Sequence, residues 1–346
     1  MRISSMAPRA FLVGNEHQRW NAISAMGSEQ ESGMFTGWFK RFDAERTVRK
    51  AGPGARLTVE QAGHVVPDEQ LSLVRLNDGY AEFVDRAFRL RGNVLTLLSC
   101  LCTGVVLWLL LFIVRTFQGI GEQGNYDGAT LTLLTVVATV FMATAAFVLW
   151  RWGWGRDVFR YMYYPVRFDR VRQHVHVFLH NGPGGMMSFP FRDVAWLIGR
   201  GEQLEALCDL RGMARDADGK LQVFSVGHYY EAEGEARVRS LWAFIVTYMQ
   251  GGSASLDARG VERRIDLSVV PSWRNCWRWI VITLGTSFVE RRYLLAPIYY
   301  PLVTVLTAWR WLVLNTSRKP RWPGALFDDA TPPTGAWAEP KLIGGG

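Results

Sequence analysis

"RGNVLTLLSCLCTGVVLWLLLFIVRTF", residues 91–117, holds no charged side chain between Arg91 and Arg115. Val94 to Val114 read as a helix span roughly 31 Å at about 1.5 Å per residue, close to the hydrocarbon thickness of a bilayer. A second uncharged run of similar length, "ATLTLLTVVATVFMATAAFVLW", extends from Ala129 to Trp150. A single such segment is compatible with the buried core of a soluble protein. Two in succession, joined by a short link, predict an antiparallel transmembrane hairpin.

The arginines around the two runs give an orientation. Arg86, Arg89 and Arg91 precede the first, and Arg151, Arg156 and Arg160 follow the second. The link "RTFQGIGEQGNYDG" has one arginine against Glu122 and Asp127. Cationic flanks stay on the cytoplasmic side, so the link is expected outside and both hydrophilic portions of the chain inside. The opening "MRISSMAPRAFLVGNEHQRW" lacks an apolar core long enough for a signal peptide, so the N-terminus is expected in the cytoplasm, with Met34 as an alternative start.

Composition agrees with a chain partly in lipid. Of 346 residues, 49% are hydrophobic and 20% charged, and the formal net charge is +8. Because the cations crowd the apolar runs, the basic balance points to a membrane surface and not to nucleic acid. Trp154, Trp273, Trp277, Trp279, Trp309, Trp311 and Trp322 lie near the ends of apolar segments, where indoles suit the headgroup layer. Cys100, Cys102, Cys208 and Cys276 have neither disulfide-framework nor zinc spacing and read as structural thiols.

Within the link, Gly119, Gly121 and Gly124 spell GxGxxG. That fingerprint binds dinucleotides only between a strand and a helix of a βαβ unit. Between two apolar helices these glycines read as turn residues, and no cofactor is expected. The helices carry no Asp, Glu, Lys, Arg or His, which argues against a proton or ion pathway. Thr130, Thr132, Thr135, Thr139 and Thr144, with Gly104, are expected at close helix contacts.

After Trp150 the pattern changes to short alternating runs. "VRFDR", "QHVHVFLH", "MMSFPF", "DVAWLIG", "LEALCDLRGM" and "KLQVFSVGHYY" read as strands, and Asn181-Gly182 marks a hairpin. In the second run Val175, Val177 and Leu179 fall on one face, and His174, His176, Phe178 and His180 on the other. Val238, Leu241, Trp242, Ile245 and Met249 form the stripe of a helix that Gly251-Gly252 should end. The fold class is thus an α+β membrane protein, with a transmembrane hairpin and a strand-rich cytoplasmic domain closed by one helix. The three histidines could chelate zinc, but no Cys or acid stands at metal spacing, so no metal is expected.

The expected organisation is an extension over 1–33, a cytoplasmic segment over 34–93, the hairpin over 94–150, the strand-rich domain over 151–252, a linker over 253–271, apolar helices over 272–323 and a tail over 324–346. In 34–93, "EQLSLVRLNDGYAEFVDRAFRLRGN" starts strand-like and then places Phe83, Ala87 and Leu90 at helical spacing. In 272–323, the run Trp279 to Val289 is too short to span, and Pro297, Pro301 and Arg310 interrupt the next. Its flanks are both basic: Arg291 and Arg292 before, Arg318, Lys319 and Arg321 after. A re-entrant or interfacial pair on the cytoplasmic leaflet is expected, with one or two further crossings as the alternative.

The order "VRLNDGYAEFVD", apolar hairpin, "YYPVRFDRVRQHVHVF", "FPFRDVAWLIG", "SLWAFIVTYM" and "TSRKPRWP" resembles a family of uncharacterised proteobacterial inner-membrane proteins, often encoded near type VI secretion and toxin genes. The likeness covers about residues 34 to 325. The middle portion is similar to bacterial pleckstrin-homology-like domains carried by membrane hairpins. It implies a non-enzymatic inner-membrane protein, an immunity or accessory factor that binds a secreted toxin or secretion component. A lipid-sensing scaffold is the first alternative, with Arg167, Arg170 and Arg172 as headgroup contacts. Arg291, Arg292, Arg318, Lys319 and Arg321 are further candidate contacts with the membrane surface. A membrane enzyme or toxin using His228 with Glu231 or Asp193 is the second.

Overall fold

Asn77 decides where the first hydrophilic stretch turns. Its Oδ1 accepts hydrogen bonds from the backbone N–H of Gly79 (2.8 Å) and of Tyr80 (2.7 Å), an Asx turn that reverses the chain. Strands β1 (Leu73–Leu76) and β2 (Tyr80–Phe83) leave this turn as an antiparallel pair. Phe83 is therefore a strand residue, and the helical spacing expected for Phe83, Ala87 and Leu90 is corrected. Only Ala87–Leu90 forms a short helix, α2, preceded in the chain by the one-turn helix α1 (Val59–Ala62), which Thr58 and Gln61 close with a capping box.

The structure, a computed structural model, describes residues 55–122, 128–201, 207–216, 219–231, 233–261, 269–289 and 292–322. The extension expected over 1–33, the tail over 324–346 and Arg291 lie outside the described residues. The chain divides into two compact units. One comprises Met1–Arg86, Pro165–Asp266 and Trp322–Gly346; the other comprises Ala87–Tyr164 and Leu267–Arg321.

In the first unit β2 pairs directly with β3 (Val166–Asp169), and the sheet continues through β4 (His174–Phe178) to β5 (Met186–Pro190). The segment before the apolar helices thus supplies two strands of this sheet and does not form a body of its own. β6 (Ala195–Arg200), β7 (Cys208–Arg215) and β8 (Leu221–Tyr230) make a second antiparallel sheet. Alternation drives both sheets toward one core. Phe168 of β3 meets Trp196 of β6 at 5.7 Å between ring centroids, and Phe189 of β5 stacks on Phe224 of β8 at 6.1 Å.

Helix α5 (Gly234–Ala258) closes this core with the expected stripe, Val238, Leu241, Trp242, Ile245 and Met249, all buried. Its regular turns end at Gly251-Gly252, as the sequence suggested. The helix kinks there, with Gly252 at φ 71 and ψ −162, and then resumes to Ala258. That backbone conformation is open to glycine almost alone. The pair therefore breaks the helix, and a shorter helical stretch follows it.

The second unit holds α3 (Val94–Glu122), α4 (Gly128–Trp152), α6 (Trp273–Val289) and α7 (Arg292–Thr316). The apolar stretches run Val94–Ile120 and Gly128–Arg151, and apart from Thr96, Thr103, Leu131 and Ala146 their described side chains are exposed or half-buried. A core helix of a soluble protein would be mostly covered, so this exposure of leucine, valine and phenylalanine favours lipid as the solvent. The 27-residue first stretch, at about 1.5 Å per residue, exceeds the bilayer core by several ångström. Gly119 and Gly121 belong to the last turns of α3 and are not turn residues; Gly124 lies outside the described residues.

Three of the threonines bond within their own helix. Thr132, Thr135 and Thr144 donate to the carbonyl four residues earlier in their own helix, which satisfies the hydroxyl without a neighbour. A side chain added at Gly104 would meet no atom within 4 Å. The contact between α3 and α4 is instead marked by Ser99, whose hydroxyl donates to the Leu149 carbonyl at 2.9 Å.

Candidate functional site

Across the five-stranded sheet, β2, β3, β4 and β5 place Glu82, Arg167, His176 and Ser188 in one register row. This row lies on the face opposite Phe83, Phe168 and Val175, because side chains alternate along each strand. Glu82, Arg167 and His176 are nevertheless buried. Arg167 donates to Glu82 Oε2 at 3.0 Å, and its guanidinium lies over the Tyr80 ring at 3.9 Å and the Trp322 ring at 4.9 Å. Trp322 donates its indole N–H to the same Glu82 oxygen at 3.2 Å and packs edge-on against Phe178.

Burial pushes the Arg167 guanidinium below its ordinary range, and the Glu82 carboxylate works against that shift. A cation held between two rings and a carboxylate has no open side for a lipid phosphate, so the expected headgroup role of Arg167 is corrected. Trp322 is likewise part of this cage. Arg170 is half-buried, donating to the Asp78 carbonyl at 2.7 Å. Arg172 is exposed and pairs with Asp169 at 3.4 Å.

Asp169 also stands 3.9 Å from His176 Nε2. Burial alone would raise its carboxyl, but the nearby His176 ring and the hydrogen bond from the Arg172 backbone N–H hold it below the usual carboxylate range. The three histidines go different ways. His174 is half-buried, His176 is buried and His180 is exposed, where its Nδ1 accepts from the Gly182 backbone N–H at 3.1 Å. Among the described residues no group of three His, Cys, Asp or Glu side chains could hold a metal ion.

A second buried cluster lies on the three-stranded sheet. Arg211 Nε donates to both oxygens of Asp209, at 2.9 and 3.1 Å, and its terminal nitrogen donates to the Arg200 carbonyl. Arg86 stands 3.6 Å from Asp209, and its guanidinium hydrogen-bonds the Tyr229 hydroxyl. Nearby, His228 is buried with Nε2 at 3.0 Å from the Leu71 carbonyl. Asp193 precedes β6 and Glu231 follows β8, with β7 between those strands.

In the second unit one arginine occupies the interior. Arg310 of α7 donates to the carbonyls of Arg91 and of Phe88, the latter at 3.2 Å. Its guanidinium lies 5.1 Å from the Phe88 ring centre and 5.2 Å from that of Trp279. Gly92 makes this approach possible: at φ +64, an added Cβ would stand 2.6 Å from the Arg310 Cα. Asp157 completes the setting, 3.7 Å from Arg91 and accepting the Gly92 N–H at 3.0 Å. The arginine read as an interruption of an apolar run is thus a strap between α7 and the residues leading into α3.

Val94 opens α3, with Val114 further along it, and Ala129 and Trp150 belong to α4. Arg292 starts α7, while Arg318, Lys319 and Arg321 follow it, all three exposed. Glu82, Asp209, Arg211 and Arg310 were not singled out as partners from the sequence. The available signal was a charged residue at an alternating position inside an otherwise apolar strand. Compared with known protein families, curated proteins and solved structures, the chain finds no match.

The chain is an α+β protein with antiparallel sheets and two exposed helices long and apolar enough to cross a membrane.

Proposed function

We propose that this chain is a non-enzymatic bacterial inner-membrane protein, an immunity or accessory factor that binds a type VI secreted toxin. Its α3–α4 hairpin spans the bilayer, and its sheets form a pleckstrin-homology-like binding domain in the cytoplasm. The observation that carries the membrane part is the pairing of β2 with β3 on either side of the hairpin. Strands of one sheet share one compartment, so the chain between them crosses the bilayer an even number of times. Two apolar helices satisfy that condition, and the arginines at their outer ends assign the shared compartment to the cytoplasm.

Support for a binding role comes from how the sheets use their charged groups. Arg167 is engaged with Glu82, and Arg211 and Arg86 with Asp209. These are fixed, buried pairs that hold a surface in shape. The scaffold that senses lipid through Arg167, Arg170 and Arg172 is less well supported, because its central cation is enclosed.

The deciding experiment is a competition. A strain lacking the gene is challenged with a toxin-delivering sibling, with and without the gene restored on a plasmid. Loss of survival that the plasmid reverses is the expected result. Unchanged survival together with unchanged secretion removes the toxin-linked reading.

A further inference from the structure

We infer that α6 and α7 form a foot that lies in the plane of the membrane surface, with one face of α7 sunk into the cytoplasmic leaflet. The outward face of α7 carries Ile298, Leu302, Val305, Trp311 and Leu312, all exposed. The inward face carries Tyr299, Val303, Leu306 and Val313, together with Arg310, the only charged residue from Tyr293 to Ser317. A helix facing water places its charges outward and its apolar residues inward. Here the outward face is uncharged over its whole length while the charge is inside, neutralised by backbone carbonyls. Lipid is the solvent that fits such a face.

Three observations decide between crossing and lying flat. First, α5 packs in the sheet core before this pair, and Trp322 bonds Glu82 after it. Both ends of the pair therefore return to the same compartment, which excludes a single crossing. Second, the 17 residues of α6 reach about 25 Å at 1.5 Å per residue, short of a bilayer core of about 30 Å.

Third, among the described residues α7 meets α3 near the start of α3. Trp309 donates to Thr96 at 3.1 Å, and Leu97 and Cys100 pack against the α7 clusters. Further along α3, Leu101, Val105, Trp108, Leu111 and Phe112 are exposed. A helix running beside α3 through the bilayer would cover some of these; α7 crosses α3 at its first turns. That level is the boundary between headgroups and acyl chains, since α3 enters the apolar layer from Val94. Exposed Arg318, with Lys319 and Arg321 beside it, stands where the chain leaves α7, suited to anionic headgroups.

The test uses the full chain in vesicles of phosphatidylcholine with phosphatidylglycerol. Single cysteines replace Ile298, Val305 or Leu312, and each variant carries an environment-sensitive fluorophore; the parent chain, labelled in parallel, corrects for native thiols. Nitroxides attached near the headgroup or near the chain end serve as shallow and deep quenchers, and iodide reports water. Stronger quenching by the shallow nitroxide at all three positions is expected, for a face about 5–10 Å into the boundary. Deep quenching at Val305 with shallow quenching at the other two means that α7 crosses, and overturns the inference. Iodide quenching at all three means a water-facing helix and overturns it too. Photolabelling of the unmodified chain with headgroup-linked and chain-end-linked carbene precursors, mapped on peptides, gives the same reading if a variant misfolds. None of these outcomes depends on whether the chain binds a toxin.

Discussion

Phe83 and Val166 face each other across adjacent antiparallel strands, although the whole apolar hairpin lies between them in the chain. An apolar hairpin inserted in the middle of a sheet, and not appended to its end, has both its ends tied to that sheet, so that under the proposed membrane role they share one compartment.

That arrangement sets the expected topology. Alkaline phosphatase inserted between α3 and α4 should be active, being outside, while insertion at Gly219 between β7 and β8 should leave it inactive. A fluorescent protein at the same two places should report the reverse. Phosphatase activity at Gly219 would contradict the assigned orientation.

Glu82 and Arg167 should be strongly coupled. Breaking a buried ion pair leaves one charge without its partner, so Glu82→Gln or Arg167→Met alone should each cost about 3–5 kcal/mol. The double variant Glu82→Leu/Arg167→Met should be less destabilised than the sum of the two, because no isolated charge remains. Chemical denaturation of the detergent-solubilised chain, followed by tryptophan fluorescence, measures the cycle.

Arg310→Ala should leave the Arg91 carbonyl without the Arg310 donor in the interior, at about 1–3 kcal/mol, whereas the Phe88 carbonyl keeps the Arg91 N–H. Arg310→Lys should recover only part of the loss, since one ammonium does not reproduce the planar fork that reaches two carbonyls and lies against two rings. Melting temperatures of the three forms in the same detergent should rank native, Lys, Ala.

Acid should weaken the β3–β4 edge through Asp169. Its folded-state acidity is stronger than that of an ordinary carboxyl, so its stabilising contribution is complete above the unfolded value and is lost as pH falls through the lower folded value. Stability measured down through the acid range should fall less steeply in Asp169→Asn than in the native chain. His176 and Arg172, which face this carboxylate, are present in both.

Much of the architecture was legible because it depends on local pattern. An uncharged run long enough for a bilayer, or alternation in "QHVHVFLH", reports on the solvent around each face whatever the rest of the chain does. "VRLNDGY" also carried a hairpin signal in Asn77-Asp78-Gly79, but the helical spacing after it competed, and only the partner strand β3 decided for a strand. The stripe of α5 and its break at Gly251-Gly252 were readable for the same local reason; that a second helical stretch resumes to Ala258 was not.

The sequence by itself determined which segments are long and apolar enough to cross a membrane, where most strands run and which ends carry positive charge, because these follow from side-chain character at neighbouring positions. Only the tertiary structure decided that β2 joins β3 across the hairpin, that Arg167 turns to Glu82 and that Arg310 turns inward. A buried cation needs a carboxylate or carbonyls close at hand, and these come from distant parts of the chain. Which way each arginine points is therefore a property of the assembled fold, not of the residues beside it.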